Sequence, residues 1–181
     1  VTCAASSANS ARIFNTLPQF VPVGNSIDSI PFQTIYTVYL QYSEQVVLTQ
    51  TMLGLDRCIT QWLFDRGQIS GMHGLIAAVI SAEGLHQELE HDQLAQKVAH
   101  ELHAKLGLDE APIWSKLIAE KRATFSCHAG IKSLRPAVET PVDACWLAGD
   151  YTDTGYPATL EGALSSGVLC AKKILAGYAA R

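Results

Sequence analysis

Residues 146–167, WLAGDYTDTGYPATLEGALSSG, hold the groups in this chain best spaced to do chemistry together. A short apolar run ends at Gly149-Asp150. A glycine there lets backbone come close to a phosphate, and the Asp150 carboxylate accepts hydrogen bonds from sugar-type hydroxyls. A turn-rich spacer with Thr152, Asp153, Gly155 and Pro157 follows, and helical spacing begins near Thr159. The first turn, Thr159, Leu160 and Glu161, leaves N–H groups unpaired and aimed at whatever negative charge lies ahead. On spacing alone, an ordinary strand, loop and capped helix explain the same residues equally well, because one glycine-acid pair is a weak motif.

Other side chains are weaker candidates. Tyr151, Tyr156 and Pro157 flank the loop and are positioned to line a substrate channel; for the tyrosines, core packing is the alternative. Arg122 and Lys121 are cations for the substrate side, against the alternative of charges on an exposed edge strand. His100 and His103 stand at i and i+3, but no third ligand converges with them, so no metal is expected. Cys3, Cys58, Cys127, Cys145 and Cys170 are scattered without a CxxC pair, a pattern of reduced structural thiols.

The elements that must position these residues follow from periodicity. Residues 1–5 read as the end of a buried strand, and 7–17 as a helix with Ser7 or Ser10 as cap. Pro18, Pro22, Gly24, Asn25 and Pro31 punctuate a loop. Residues 32–42, FQTIYTVYLQY, form the clearest strand, apolar on both faces and so expected to be covered on both. Residues 61–66 and 74–82 read as antiparallel strands separated by Gly67, Gly71 and Gly74. From 92 to 106, Leu94, Val98, Leu102 and Leu106 recur every fourth residue and predict an amphipathic helix stopped by Gly107. Residues 113–125 alternate irregularly, as at a sheet edge or domain junction. Pro136 and Pro141 precede a last short strand at 145–148. A final helix over 159–176 carries the stripe Leu160, Leu164, Val168, Ala171 and Leu175, with Lys172 and Lys173 near its C-terminus and Gly177 as left-handed cap.

The composition, 48% hydrophobic and 17% charged, is that of a globular chain, and a net charge of −4 without a basic stripe excludes a nucleic-acid partner. The longest apolar run, LIAAVI at 75–80, is too short to span a membrane.

The stretch GDYTDTGYPATLEGALSSG resembles the C-terminal flavin-binding motif of the FAD-dependent amine oxidase and carotenoid desaturase superfamily. Together with TVYLQY (37–42) and EKRATFSC (120–127), it is most similar to the bacterial hydroxysqualene dehydroxylases of hopanoid synthesis, with the plant-type phytoene desaturases next. PATLEGA in place of the desaturases' usual ASMEGA favours the former. The resemblance covers nearly the whole chain and implies an α/β (mixed α+β) fold, the C-terminal part of a two-lobed FAD-linked oxidoreductase. It divides the chain into a remnant of the FAD domain (1–21), a mixed-sheet substrate domain (22–140), and the last strand, loop and helix of a Rossmann-like FAD lobe (141–181). FAD is the implied cofactor, with Gly149 and Asp150 on its pyrophosphate and ribityl chain and Thr159, Leu160 and Glu161 at the flavin's N1–C2=O edge. The implied substrate is a long isoprenoid, and the implied location is cytoplasmic, peripheral to the inner membrane face. The glycine-rich GxGxxG turn that seats the pyrophosphate is absent from the chain, which therefore reads as the C-terminal portion of a longer enzyme. It calls for a missing Rossmann half or a self-association partner. A non-catalytic fragment with this fold is the reading from a different class.

Overall fold

The computed structural model describes residues 1–81 and 83–179, so Ala82, at the end of the expected strand over 74–82, lies outside the described residues. The chain divides into two compact units, one made of Val1–Phe32 with Thr124–Arg181 and the other of Gln33–Ala123.

The second unit is a five-stranded sheet with one helix on it. Strands β2 (Phe32–Gln41), β3 (Met52–Gly54), β4 (Trp62–Asp65), β5 (Leu75–Ile80) and β6 (Trp114–Phe125) lie in the order β3-β4-β5-β2-β6. The register aligns Leu63, Ala78 and Val38 across three strands, and Ile76 with Leu40. Because alternate residues share a face, these side chains form one apolar floor. Helix α4 (His91–Leu106) covers it, with Leu94, Val98 and Leu102 buried against Val38, Leu40, Leu63, Ile76 and Ile80. Burying each such side chain contributes about 1.5–3 kcal/mol before chain entropy is subtracted. Gly107 caps the helix in the left-handed region, as expected.

For this unit one expectation changes and one short element is added. On β2 only Val38 and Leu40, continued by Tyr42, are fully buried; Ile35, Thr37, Tyr39 and Gln41 on the other face stay part-exposed, because α4 covers a single face. The link between β4 and β5 holds a short helix, α3 (Arg66–Ser70), while the two strands pair antiparallel as expected. Asp65 ends β4 and caps α3. Its carboxylate accepts from the backbone N–H groups of Leu48 (2.9 Å) and Gln68 (3.0 Å) and from Gln68 Nε2 (2.9 Å). Gly74 then takes φ +70 where a Cβ would collide with the carbonyls of Tyr42 and Ser43, so the chain can enter β5 only through glycine.

The first unit joins the two ends of the chain. Strand β1 (Thr2–Cys3) pairs parallel with β7 (Trp146–Leu147), Thr2 opposite Trp146 and Cys3 opposite Leu147. Helices α1 (Ser7–Phe14), α2 (Val21–Asp28) and α5 (Leu160–Ala179) complete the unit. Ala11, Phe14, Phe20, Ile27, Ile30, Phe125, Leu147 and Tyr151 form its core, with Phe14 and Phe20 stacked at 4.8 Å between centroids.

Here the differences are larger. Residues 1–5 are not buried: Val1 and Thr2 are exposed. Ser7 and Ser10 lie inside α1 and neither is its cap, since Ser6 occupies that position without a side-chain bond. The loop expected after Pro18 is instead a 3-10 turn followed by α2. Pro22 sits in the first turn of α2, where its missing N–H costs nothing, and Gly24 is a packing glycine whose Cβ would overlap the Asn15 side chain. Helix α5 runs through Gly177 to Ala179, so Gly177 is helical and caps nothing.

Asp65 carries a testable consequence. Burial opposes its ionisation, yet the donors from Gln68, Leu48 and Gly67 outweigh burial and hold its carboxyl below the usual carboxylate range. A depressed folded pKa means that the stabilisation is complete above the unfolded value, about pH 4, and is lost as pH falls through the folded pKa. In urea titrations Asp65→Asn should cost about 1–3 kcal/mol at pH 7 and flatten the loss of stability below about pH 4.

Candidate functional site

Strand β7 delivers Ala148, Gly149 and Asp150 to the first residues of the loop. The Gly149 N–H donates to the hydroxyl of Ser166 (2.8 Å), which is fully buried on α5 and donates in turn to Ala163 O (2.6 Å). The glycine is required for packing: a Cβ on Gly149 would collide with the Tyr151 ring. Thr152 closes the turn, its N–H (3.1 Å) and hydroxyl (2.8 Å) both reaching Gly149 O. The Asp150 carboxylate is part-exposed and makes no hydrogen bond or ion pair among the described residues.

Thr159 caps α5. Its hydroxyl accepts from the Gly162 N–H (3.1 Å), and its carbonyl from the Ala163 N–H (3.1 Å). The N–H groups of Leu160 and Glu161 remain without a partner among the described residues, so two of the helix's orphan donors stay available. Gly162 lets the loop lie on the helix, since a Cβ there would stand 2.9 Å from Pro157 O. An open groove of about 480 Å³ runs along α5, lined by Ala4, Ala148, Gly149, Ala163, Leu164, Gly167, Val168 and Ala171.

The tyrosines part company. Tyr151, a candidate to line substrate, is a core residue: it is 1% exposed, and its hydroxyl donates to Ser10 Oγ (2.9 Å). Burial pushes its phenol up to about 12, so it stays protonated at any working pH. Tyr156 is 44% exposed and Pro157 is exposed beside it. Arg122 belongs to the second unit, exposed on edge strand β6, where its N–H donates to Glu120 Oε1 (3.2 Å). Lys121 is exposed on the same strand. His100 and His103 lie on α4 with rings 6.4 Å apart, and His103 Nδ1 is 3.1 Å from Leu108 O.

One residue of the site escaped the sequence reading. Arg135 reaches the carbonyls of Asp150 (2.9 Å), Tyr151 (3.4 Å), Thr152 and Tyr156 (2.6 Å) and the Thr154 hydroxyl (3.4 Å), with its guanidinium 4.7 Å from the centre of the Phe125 ring. Among sequence cues, only the following Pro136 hints at it, by favouring the extended backbone that Arg135 adopts (φ −78, ψ 120).

The first unit thus leaves a carboxylate and two helix-start N–H groups without partners among the described residues, groups of the kind a sugar-phosphate cofactor uses. Residues 1–175 match the family of flavin-containing amine oxidoreductases. The chain belongs to that family. That family is one of FAD-dependent oxidoreductases. Among curated relatives, a hydroxysqualene dehydroxylase from Rhodopseudomonas palustris is 33% identical over 126 residues, covering 69% of this chain and 28% of the relative. A 15-cis-phytoene desaturase from Solanum lycopersicum is 37% identical over 62 residues, 34% of this chain and 11% of the relative. The chain thus spans less than a third of the curated relatives it matches. Its fold matches a candidate protoporphyrinogen oxidase from Exiguobacterium sp. 255-15 with a TM-score of 0.67 at 14% identity, over 96% of this chain and 40% of that one.

If Asp150 holds a cofactor hydroxyl, Asp150→Ala should weaken FAD binding by roughly tenfold, one charge-assisted hydrogen bond's worth. Titration by flavin fluorescence reads this directly, and equal affinities for variant and parent would remove Asp150 from the site.

Proposed function

We propose that this chain forms the C-terminal part of a flavin-dependent dehydroxylase that converts hydroxysqualene to squalene. The observation that carries the reading is the extent of the likeness to the dehydroxylase. Any 126-residue stretch of a 181-residue chain includes residues 56–126, so that match reaches deep into the second unit wherever it begins. A 62-residue match to a desaturase need share only seven residues with that span.

In this reading the first unit is the cofactor side. Asp150 holds a sugar hydroxyl, Gly149 admits the pyrophosphate, and the start of α5 at Thr159, Leu160 and Glu161 faces the N1–C2=O edge. A helix N-terminus there favours the anionic reduced flavin by about 0.3–2 kcal/mol. Reduced FAD, when bound, supplies the hydride that replaces the leaving hydroxyl, which departs with one proton as water. Glu161 contributes helix-dipole chemistry only. The second unit is the substrate side: the sheet face away from α4 carries Tyr39, Phe64, Trp62 and Val79 in adjacent register, an apolar wall suited to a C30 chain. Tyr156, Pro157 and Arg122 remain the candidates to meet substrate.

The reading also explains α5. Leu160, Leu164, Val168 and Leu175 face outward, with Leu160 92% and Leu164 66% exposed. Such a stripe calls for cover, which a Rossmann half carrying the glycine-rich turn supplies in the assembled enzyme. Among the described residues no helix is long and apolar enough to cross a membrane, and a cytoplasmic enzyme meeting the bilayer peripherally suits a lipid-like product.

The desaturase likeness supports one alternative, hydride removal from a carotenoid precursor. An assembled enzyme containing this chain, given FAD, a reductant and hydroxysqualene, should yield squalene; turnover of phytoene alone would sink the dehydroxylase reading. Without the covering half, the chain should self-associate at micromolar concentration in sedimentation velocity, and Leu164→Glu should shift it toward monomer. A clean monomer for the parent chain would count against the stripe as a covered surface.

A further inference from the structure

We propose that Arg135 is a positioning residue of the flavin site, acting on the cofactor through the loop at 150–156; the proposal rests on the reading of that loop as the cofactor's.

Residues 150–156 belong to no helix or strand, so their carbonyls have no ladder to satisfy them. Four of those carbonyls, from Asp150, Tyr151, Thr152 and Tyr156, turn toward one guanidinium. Converging carbonyl oxygens repel one another unless a cation sits among them. Only a planar fork with several donors in fixed directions reaches them all at once; a lysine ammonium, with three donors on a single point, cannot. Phe125 backs the guanidinium on one face, and Pro136 fixes the backbone from which it extends. The Asp153 N–H closes the same junction by donating to Pro136 O (2.8 Å).

Two consequences reach the cofactor side. A trans peptide points its N–H opposite its carbonyl, so the Asp150 carbonyl bound to Arg135 turns the Tyr151 N–H away from the guanidinium. That N–H has no partner among the described residues, and it follows in sequence the residue whose carboxylate is likewise without one. Arg135 itself pairs with no carboxylate among the described residues, its acceptors being neutral carbonyls and a hydroxyl. Its charge is met by the carbonyl dipoles of the loop, so what it fixes is their orientation. Arg135 thus sets the shape of the loop without touching the cofactor.

The test compares the parent chain with Arg135→Lys, which keeps the charge and loses the fork, and with Arg135→Ala. Amide hydrogen exchange by mass spectrometry is followed without flavin, and FAD affinity by fluorescence titration. In Arg135→Lys, exchange of the amides in 149–157 should rise by roughly tenfold or more, with β5 unchanged as internal control, and FAD should bind roughly tenfold more weakly. Millimolar guanidinium ion should restore loop protection in Arg135→Ala, and methylammonium should not. Unchanged loop exchange in both variants overturns the proposal. A loosened loop with unaltered FAD affinity also overturns it, while leaving the flavin reading intact. If the parent chain takes up no FAD, it is the flavin reading of this chain that fails, and the exchange arm alone decides whether Arg135 holds the loop.

Discussion

The first unit depends on a parallel pairing of only two residues from each strand, which joins Thr2-Cys3 to Trp146-Leu147 across most of the chain. Closing so long a loop costs entropy, but the cost grows only logarithmically with length. Much of the intervening chain folds as a unit with its own sheet, helix and core, which shortens the effective loop. The pairing is reinforced around its ends. Trp146 N–H donates to Val1 O (2.9 Å), Ala148 N–H to Cys3 O (2.9 Å), and Leu147 N–H to Val138 O on the other side (2.7 Å). Lys173 of α5 pairs with Glu139, holding that carboxyl below its ordinary range. The position of Gly149-Asp150 follows from this ladder, since both residues leave β7 directly.

From there a buried polar chain takes over. Tyr151 cannot reach solvent, and its phenol is satisfied by Ser10, which itself donates to Ala5 O (3.3 Å). The contact ties the loop to α1, an element 141 residues away in sequence. Arg135 ties the same loop from the opposite direction, through its carbonyls. A loop of glycine, threonine and aspartate would otherwise be mobile; here side chains from two distant segments restrain it. Cofactor sites need such rigidity, because groups a fraction of an ångström out of place lose most of their value.

How legible this was in the sequence differs by element, for physical reasons. Helix α4 and strands β2, β4 and β5 bury one face against a partner within the same unit, so the spacing of Leu94, Val98 and Leu102 or of Val38 and Leu40 states their structure directly. Helix α2 was hidden because Pro22 and Gly24 read as breakers, whereas one starts the helix and the other makes room for Asn15. The strand, glycine, acid and helix of the candidate site were visible as types in order. Arg135 was not, because its partners are backbone carbonyls, and carbonyls leave no mark on sequence. For Tyr151 the sequence left substrate lining and core packing both open for a related reason: its neighbour in the core is a serine near the other end of the chain.

Helix α5 shows where hydrophobic patterning misleads. A leucine stripe ordinarily marks the packed face of a helix, yet the face that packs here is Gly162, Ser166 and Cys170. Close approach decides this. The Gly149 N–H must come within 2.8 Å of a side-chain oxygen on the helix, and Pro157 O must pass where a Cβ at 162 would stand. A leucine at either position would hold the helix away from β7 and the loop, break the bond to Gly149 and move the helix start away from Asp150. Small residues therefore occupy the inner face because distance is fixed there by backbone contacts, and the large apolar residues are displaced to the outer one. The hydrophobic effect sets which side chains seek cover, but in this helix the geometry needed to bring two backbone termini together sets which side chains may face inward.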